Sequence, residues 1–134
     1  MAKRSASQEL LEFEIRFYER LLKEHPNFTD ALAALGNAYT RSGCYDKGLA
    51  VDRTLTQLKP HDPIAWYNLA CSYALTKQSD EALKMLSRAV ELGYDDFSYL
   101  MKDPDLASVR QSPTLKQLLK ERLSRKLPSS ASTS

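Results

Sequence analysis

Few residues of this 134-residue chain have the types and spacing that enzyme chemistry requires. Catalysis needs a nucleophile with its base, two carboxylates in a cleft, or a metal ion. His25 and His61 each stand beside a proline, and neither has a histidine, cysteine or acid three or four residues ahead to share a metal. Cys71 lacks a recognisable base, and Asp95-Asp96 is placed to cap a helix rather than to form an acid pair. We therefore predict no catalytic residue, metal site, cofactor or small-molecule substrate, and a protein that is not an enzyme.

The charge pattern argues against nucleic acid and membranes as partners. The net charge is only +2, and no apolar run is long enough to span a bilayer. We interpret the basic last helix as the solvated outer face of a capping element, with contact to an anionic surface as the alternative. Nucleic-acid sites usually combine a larger basic excess with aromatic residues. The basic side chains of this helix are Lys116, Lys120, Arg122, Arg125 and Lys126.

The two cysteines bear on the compartment. Cys44 and Cys71 are 27 residues apart and suggest no disulfide framework, which suits a reducing environment. The first residues are polar and do not form the apolar core of a secretion signal. We therefore predict a cytoplasmic protein.

A nine-residue stretch recurs in this sequence at a distance of 34 residues. LAALGNAYT at 32–40 aligns with WYNLACSYA at 66–74, and the match of 29–62 with 63–96 needs no gap. Each unit contains two helical patterns separated by a short break, at 41–44 and at 76–79. Pro63, Pro104 and Pro113 each follow an Asp or Ser, which is typical of helix starts. The sequence therefore predicts helical hairpins in tandem.

This pattern resembles the tetratricopeptide repeat (TPR) family, whose 34-residue unit has a large residue, Leu, Gly or Ala, and Tyr at fixed spacing in its first helix. The resemblance covers about residues 8–100 and implies an all-α solenoid of antiparallel hairpins in a right-handed superhelix. We expect an N-terminal helix at 8–28, repeats at 29–62 and 63–96, and a partial repeat with capping helices at 97–127. The segment FSYLMKDPDLASVRQSPTLKQLL resembles the end of many bacterial arrays of this kind. Residues 1–7 and 128–134 are predicted to be disordered.

The resemblance also implies where a partner would bind, because the first helices of such repeats line a concave groove. An extended peptide or a partner protein is the expected ligand, since asparagine side chains can hydrogen-bond a peptide backbone. Members that clamp a chaperone's C-terminal carboxylate have two asparagines at the spacing of Asn37 and Asn68, but two of their lysines fall at Ala33 and Ser98 here. The groove residues expected from the resemblance are Ala33, Asn37, Thr40, Arg41, Ile64, Tyr67, Asn68, Cys71, Leu75 and Lys102.

The N-terminal helix has an apolar arc wider than packing on one neighbour needs. Leu11, Ile15, Tyr18 and Leu22 form one stripe, and an adjacent stripe contains Leu10, Phe13, Phe17 and Leu21. We expect the first stripe to pack inward. The second is a candidate interface for a homodimer or a partner, unless the chain's own first residues or a tilt of the helix cover it. The resemblance thus implies a non-catalytic scaffold or adaptor that binds a partner in its groove. Two alternatives remain open: a self-assembly module that forms a homodimer through the N-terminal helix, and a regulatory or accessory subunit of an enzyme or co-chaperone.

Two residues of the first repeat depart from the family pattern. Gly48 stands where the family prefers Ala, and Asp52 where it prefers an aromatic residue or Leu. A buried carboxylate must find a donor or destabilise the fold. We expect a tyrosine hydroxyl, an arginine or water to satisfy Asp52, with a recognition or interface role as the alternative.

Overall fold

Residues 4–126, the part of the chain that this computed structural model describes, are helical throughout their regular structure. No strand occurs within these residues, so the all-α prediction is confirmed. In chain order the elements are α1 (Ala6–Glu24), α2 (Thr29–Arg41), α3 (Tyr45–Leu58), α4 (Pro63–Leu75), α5 (Ser79–Glu91), α6 (Phe97–Leu100), a 3₁₀ turn (Pro104–Leu106) and α7 (Pro113–Lys126).

Polar side chains fix where several helices begin. Ser5 and Gln8 form a reciprocal capping box, so α1 begins at Ala6, inside the segment 1–7 that was predicted to be disordered. The Asp62 carboxyl accepts a hydrogen bond from the backbone N–H of Ile64, and the Asp96 carboxyl caps α6, as predicted for Asp95-Asp96. The predicted disorder at residues 1–3 and 128–134 falls outside the described residues.

Both long hairpins turn in the same way. The breaks predicted at 41–44 and 76–79 separate α2 from α3 and α4 from α5. Gly43 has φ +83° and Lys77 has φ +64°, and these two left-handed residues are 34 positions apart. In each turn the next residue's N–H bonds back to a tyrosine carbonyl, of Tyr39 or Tyr73. The sequence repeat is therefore also a repeat of backbone conformation.

Neighbouring helices pack in chain order from α1 to α5, and the chain then folds back onto α4 and α5. The larger apolar core joins α4 and α5 to the closing segment 94–119, whose Leu100, Leu106 and Leu115 are fully buried. A smaller cluster of Leu32, Leu55 and Ala65 lies between the hairpins. No helix within residues 4–126 combines the length and apolar character needed to cross a bilayer.

The N-terminal helix α1 packs through one face only. The four residues of the stripe expected to pack inward are half-buried, whereas Leu10, Phe13 and Phe17 of the second stripe are exposed by 61%, 58% and 52%. Leu21, the fourth residue of the second stripe, is half-buried. Polar bonds supplement this packing: the Tyr39 hydroxyl donates to Glu19, and Arg41 pairs with Glu14 at 2.7 Å.

Candidate binding groove

A cavity of about 150 Å³ lies between the first helices of the two hairpins and the closing segment. Helix α2 supplies one wall and α4 the other, α3 contributes Asp52, and the residues after α5 close one end. Residues three or four positions apart share a face of a helix, which explains why the lining residues of α2 recur at that spacing. The lining residues are Ala33, Gly36, Asn37, Thr40, Asp52, Tyr67, Asn68, Cys71, Ser72, Tyr99, Asp103 and Asp105.

The structure brings six of the ten predicted groove residues together in this cavity: Ala33, Asn37, Thr40, Tyr67, Asn68 and Cys71. The other four do not line it. Arg41 turns toward α1, where it bonds to Glu14, and its Nε also donates to Asn37 Oδ1 within α2. Ile64 lies in the first turn of α4 with its side chain exposed, Leu75 is the last residue of α4, and Lys102 follows α6 as an exposed side chain.

Tyr67 differs from the sequence expectation, because it is buried rather than offered to a ligand. Its hydroxyl donates to Asp103 Oδ2 at 2.6 Å, and its ring stacks on Tyr94 with centroids 4.3 Å apart. Burial and the bond to Asp103 raise the pKa of this hydroxyl, which therefore stays protonated as a donor. The accessible aromatic ring of the cavity is that of Tyr99, which is 48% exposed.

Asp52 is the most deeply buried carboxyl lining the cavity besides Asp103. Only 5% of the residue is exposed, and the Ser72 hydroxyl donates to Oδ2 at 2.5 Å. The expected tyrosine or arginine partner was therefore wrong. Burial raises the pKa of Asp52 from 3.8 to about 6, although the bond from Ser72 lowers it. Gly36 makes the approach possible, because a Cβ at that position would lie 2.7 Å from Asp52 Oδ1.

Asp103 organises the opposite end of the cavity. Its Oδ2 accepts from Tyr67 and from the Cys71 thiol at 3.7 Å, and its Oδ1 accepts from the backbone N–H of Asp105. Burial and these carboxylates raise the pKa of the Cys71 thiol, and burial followed by the Asp103 charge raises the pKa of Asp105. Arg110 donates to the backbone carbonyl of Asp103 and steadies the loop.

These contacts bear on whether a metal ion would fit. One ligand atom each from Cys71, Asp103 and Asp105 lies within 4.8 Å of the others. A metal-bound cysteine would be a thiolate. In this structure the Cys71 thiol is instead a donor to Asp103, and the three groups form a hydrogen-bond network.

Sequence reasoning missed five lining residues: Gly36, Ser72, Tyr99, Asp103 and Asp105. The motif DPDL was visible, and its first aspartate was expected as a helix cap, which Asp103 is. The position of Asp103 in the cavity wall depends on its contact with Tyr67, which is 36 residues away in sequence. The local periodicity that revealed the helices holds no information about such a distant contact.

Two known proteins are similar to parts of this chain, and no family model matches it. A protein of Arabidopsis thaliana whose name describes it as chloroplastic is 33% identical over 89 residues, which cover 64% of this chain. A TPR repeat-containing protein of Picosynechococcus sp. is 36% identical over 67 residues, which cover 50% of this chain. The similarity to a protein of that description supports a helical repeat. The matched regions span only 27% and 17% of these two relatives' own lengths.

Proposed function

We propose that this protein is a TPR-type interaction scaffold that binds an extended peptide segment of a partner protein in the groove between α2 and α4. The observation that carries the proposal is the convergence of Asn37 and Asn68, from equivalent helices of the two repeats, on one concave cavity. The similarity to a TPR repeat-containing protein supports the same assignment. The helical hairpins would then stack as an α-solenoid.

The groove has the chemistry of a peptide site. A carboxamide combines an acceptor with two donors, which matches the alternating N–H and C=O groups of an extended backbone. Asn37 Oδ1 already accepts from Arg41, so its amide donors are the groups that Asn37 would offer to a peptide carbonyl. Asn37 is exposed and Asn68 is half-buried, so both can be reached from solvent. Ala33 leaves room for the backbone to approach. A cavity of about 150 Å³ is smaller than the usual range for drug-sized ligands, roughly 300–1,000 Å³, and suits a single side chain of a longer ligand.

The proposal includes no catalytic step. A thiol whose pKa is raised is a poor nucleophile at neutral pH, and Cys71 is in that state. The compartment is also a proposal: a reducing one, either the cytoplasm predicted from the sequence or the chloroplast that the Arabidopsis relative's name records.

A selection of displayed random 12-residue peptides on the immobilised full chain tests the proposal. We expect bound peptides whose affinity falls about tenfold or more in an Asn37→Ala, Asn68→Ala variant, because each lost bond to a peptide group leaves a partner unsatisfied. Asn27→Ala, an exposed asparagine between α1 and α2, is the matched control. Peptides that bind equally to both variants would place binding outside the groove.

A second candidate function is self-assembly through α1, which the exposed stripe favours. The rings of Phe13 and Phe17 stack on each other in solvent with centroids 6.4 Å apart. Leaving each ring in water forgoes about 1.5–3 kcal/mol of burial. Charge also fits an antiparallel pair of α1 helices, because Glu9 lies near the start of the helix and Lys23 in its last turn.

Light scattering coupled to size exclusion measures this second candidate directly. We expect a dimer for the wild type and a monomer for a Phe13→Glu, Phe17→Glu variant, because opposed carboxylates would be buried without partners. Leu123→Glu, which changes a similarly exposed residue of α7, is the control. A wild-type protein that stays monomeric at high micromolar concentration would exclude self-assembly through this stripe.

A further inference from the structure

The groove is acidic, which a site that clamps a carboxylate would not be. Asp52, Asp103 and Asp105 line the cavity, and no lysine, arginine or histidine is among its lining residues within 4–126. None of the ion pairs formed within the described residues involves these three aspartates. Arg110 bonds to the backbone carbonyl of Asp103 and not to a carboxylate, so none of these three carboxylates forms an ion pair within the described residues.

Asp52 gives the strongest sign that a ligand belongs there. The 34-residue repeat makes Asp52 the equivalent of Leu86, which is fully buried in the core of the second hairpin. Within the described residues its carboxyl accepts one hydrogen bond, to Oδ2 from Ser72, while Oδ1 lies against Gly36 at the cavity. An ionised carboxylate has room for several donors, so Oδ1 can accept hydrogen bonds from a group that enters the cavity.

The end of the cavity formed by Asp103 and Asp105 also carries negative charge. Asp103 accepts bonds from Tyr67, Cys71 and the Asp105 backbone, and the half-buried Asp105 carboxylate repels it. A positive group in the cavity would lower the free energy of each carboxylate that it approaches. The exposed Tyr99 ring also lines the cavity, where it could contact the cation and the methylene groups that carry it.

We propose that the groove recognises a lysine or arginine side chain of an extended peptide, with the cationic head group between Asp52 and Asp105. This inference rests on the proposed groove binding and names the chemistry of its ligand. The asparagines then hold the peptide backbone, and the aspartates select the side chain. The same charges disfavour a C-terminal carboxylate, and Lys102, which was expected in the groove, does not line the cavity.

The cavity volume is consistent with one such head group. A water molecule occupies roughly 30 Å³ of liquid, so about 150 Å³ holds an ammonium or guanidinium group with the last methylenes of its stem. Guanidinium has the larger number of donors and matches carboxylates in a fork geometry. We therefore expect arginine to bind at least as tightly as lysine.

The displayed peptides selected on the full chain test this inference, followed by fluorescence polarisation of the best binders. We expect a basic residue in each groove-dependent peptide, and about a tenfold or greater loss of affinity when that residue becomes alanine. Asp52→Asn and Asp105→Asn should each weaken binding several-fold and together remove it. Asp80→Asn, at an exposed aspartate in the first turn of α5, should change affinity less than twofold.

The outcomes separate this inference from the function on which it rests. Groove-dependent peptides that lack a basic residue, or that bind Asp52→Asn and Asp105→Asn as well as wild type, would overturn the cationic inference and leave groove binding intact. Peptides that bind the Asn37→Ala, Asn68→Ala variant as tightly as the wild type would overturn both the cationic inference and the proposed groove binding. Binding that requires added Zn²⁺, Ca²⁺ or Mg²⁺ and disappears in EDTA would show a metal at the aspartates and also overturn the inference. Raising NaCl from about 0.05 to about 0.5 M should weaken a true cationic ligand.

Discussion

A single residue, Asp52, links the stability of this protein to its proposed binding. Its carboxyl stands where the second repeat has the core residue Leu86, and it is buried with one hydroxyl donor. Positions that break a local rule of packing are often functional, and the fold then tolerates a loss of stability there. A carboxyl that served only the fold would stabilise it, whereas one that awaits a cation would destabilise the unliganded protein.

Replacing Asp52 with asparagine tests this at the residue scale. The raised pKa of about 6 means that the folded state binds the proton more tightly than the unfolded chain, whose carboxyl has its ordinary value of 3.8. The contribution of Asp52 to stability is therefore full below about pH 4 and is lost as pH rises through 6. We expect Asp52→Asn to raise the free energy of unfolding at pH 7.5 by about 1–2 kcal/mol, because it removes a buried charge.

Urea denaturation of both proteins at pH 4, 5, 6 and 7.5 gives the comparison. The advantage of the asparagine variant should grow between pH 4 and 6 and then level off. The pKa of Asp105 is also raised, so its contribution to stability likewise decreases as pH rises. Because Asp105 is present in both proteins, this contribution cancels when their free energies of unfolding are compared. A variant less stable than wild type at pH 7.5 would show that Asp52 serves the fold, and would remove the main support for a cation at this end of the groove.

At the scale of the elements, sequence periodicity predicted what repeats and missed what does not. The helices, the two breaks and the caps Asp62 and Asp96 follow from local spacing, because capping and amphipathic faces depend on residues within a few positions. The end of the groove depends on Asp103 reaching Tyr67 and Cys71, and only folding brings these residues together. Six residues predicted on the facing sides of α2 and α4 line the cavity, and the prediction did not include the residues that the closing segment contributes to it.

The two hairpin turns give a matched pair for a second prediction. Gly43 and Lys77 occupy the same left-handed position, and a Cβ at Gly43 would meet no atom within 4 Å. Gly43→Ala should therefore cost about 1 kcal/mol through backbone strain alone. Lys77→Ala should change stability by less than about 0.5 kcal/mol, because that position already holds a Cβ. Thermal unfolding of the two variants measures the difference, and equal losses would contradict a shared turn conformation.

For the whole molecule, the closing segment completes both the core and the groove. Leu100, Leu106 and Leu115 pack into the same cluster as α4 and α5, and the segment between them carries Asp103 and Asp105 to the cavity. Repeats bury their apolar faces only against neighbours, so the last hairpin needs such a cover. A substitution that weakens the packing of the closing segment should therefore destabilise the second hairpin and also disturb the groove.

Leu106→Ala makes this coupling measurable, because Leu106 is fully buried beside Asp105. Large-to-small changes at such sites cost about 2–5 kcal/mol, so we expect a single unfolding transition at lower urea concentration, with the free energy of unfolding reduced by that amount. Leu123→Ala, at a residue of α7 that is 47% exposed, should cost less than about 1 kcal/mol. Fluorescence of Trp66, which packs against the same core, reports the second hairpin, while circular dichroism reports all helices. The prediction is contradicted if the tryptophan signal keeps the wild-type midpoint while helicity is lost at lower urea concentration. The closing segment would then unfold separately from the second hairpin, and the stability of the groove would not depend on it.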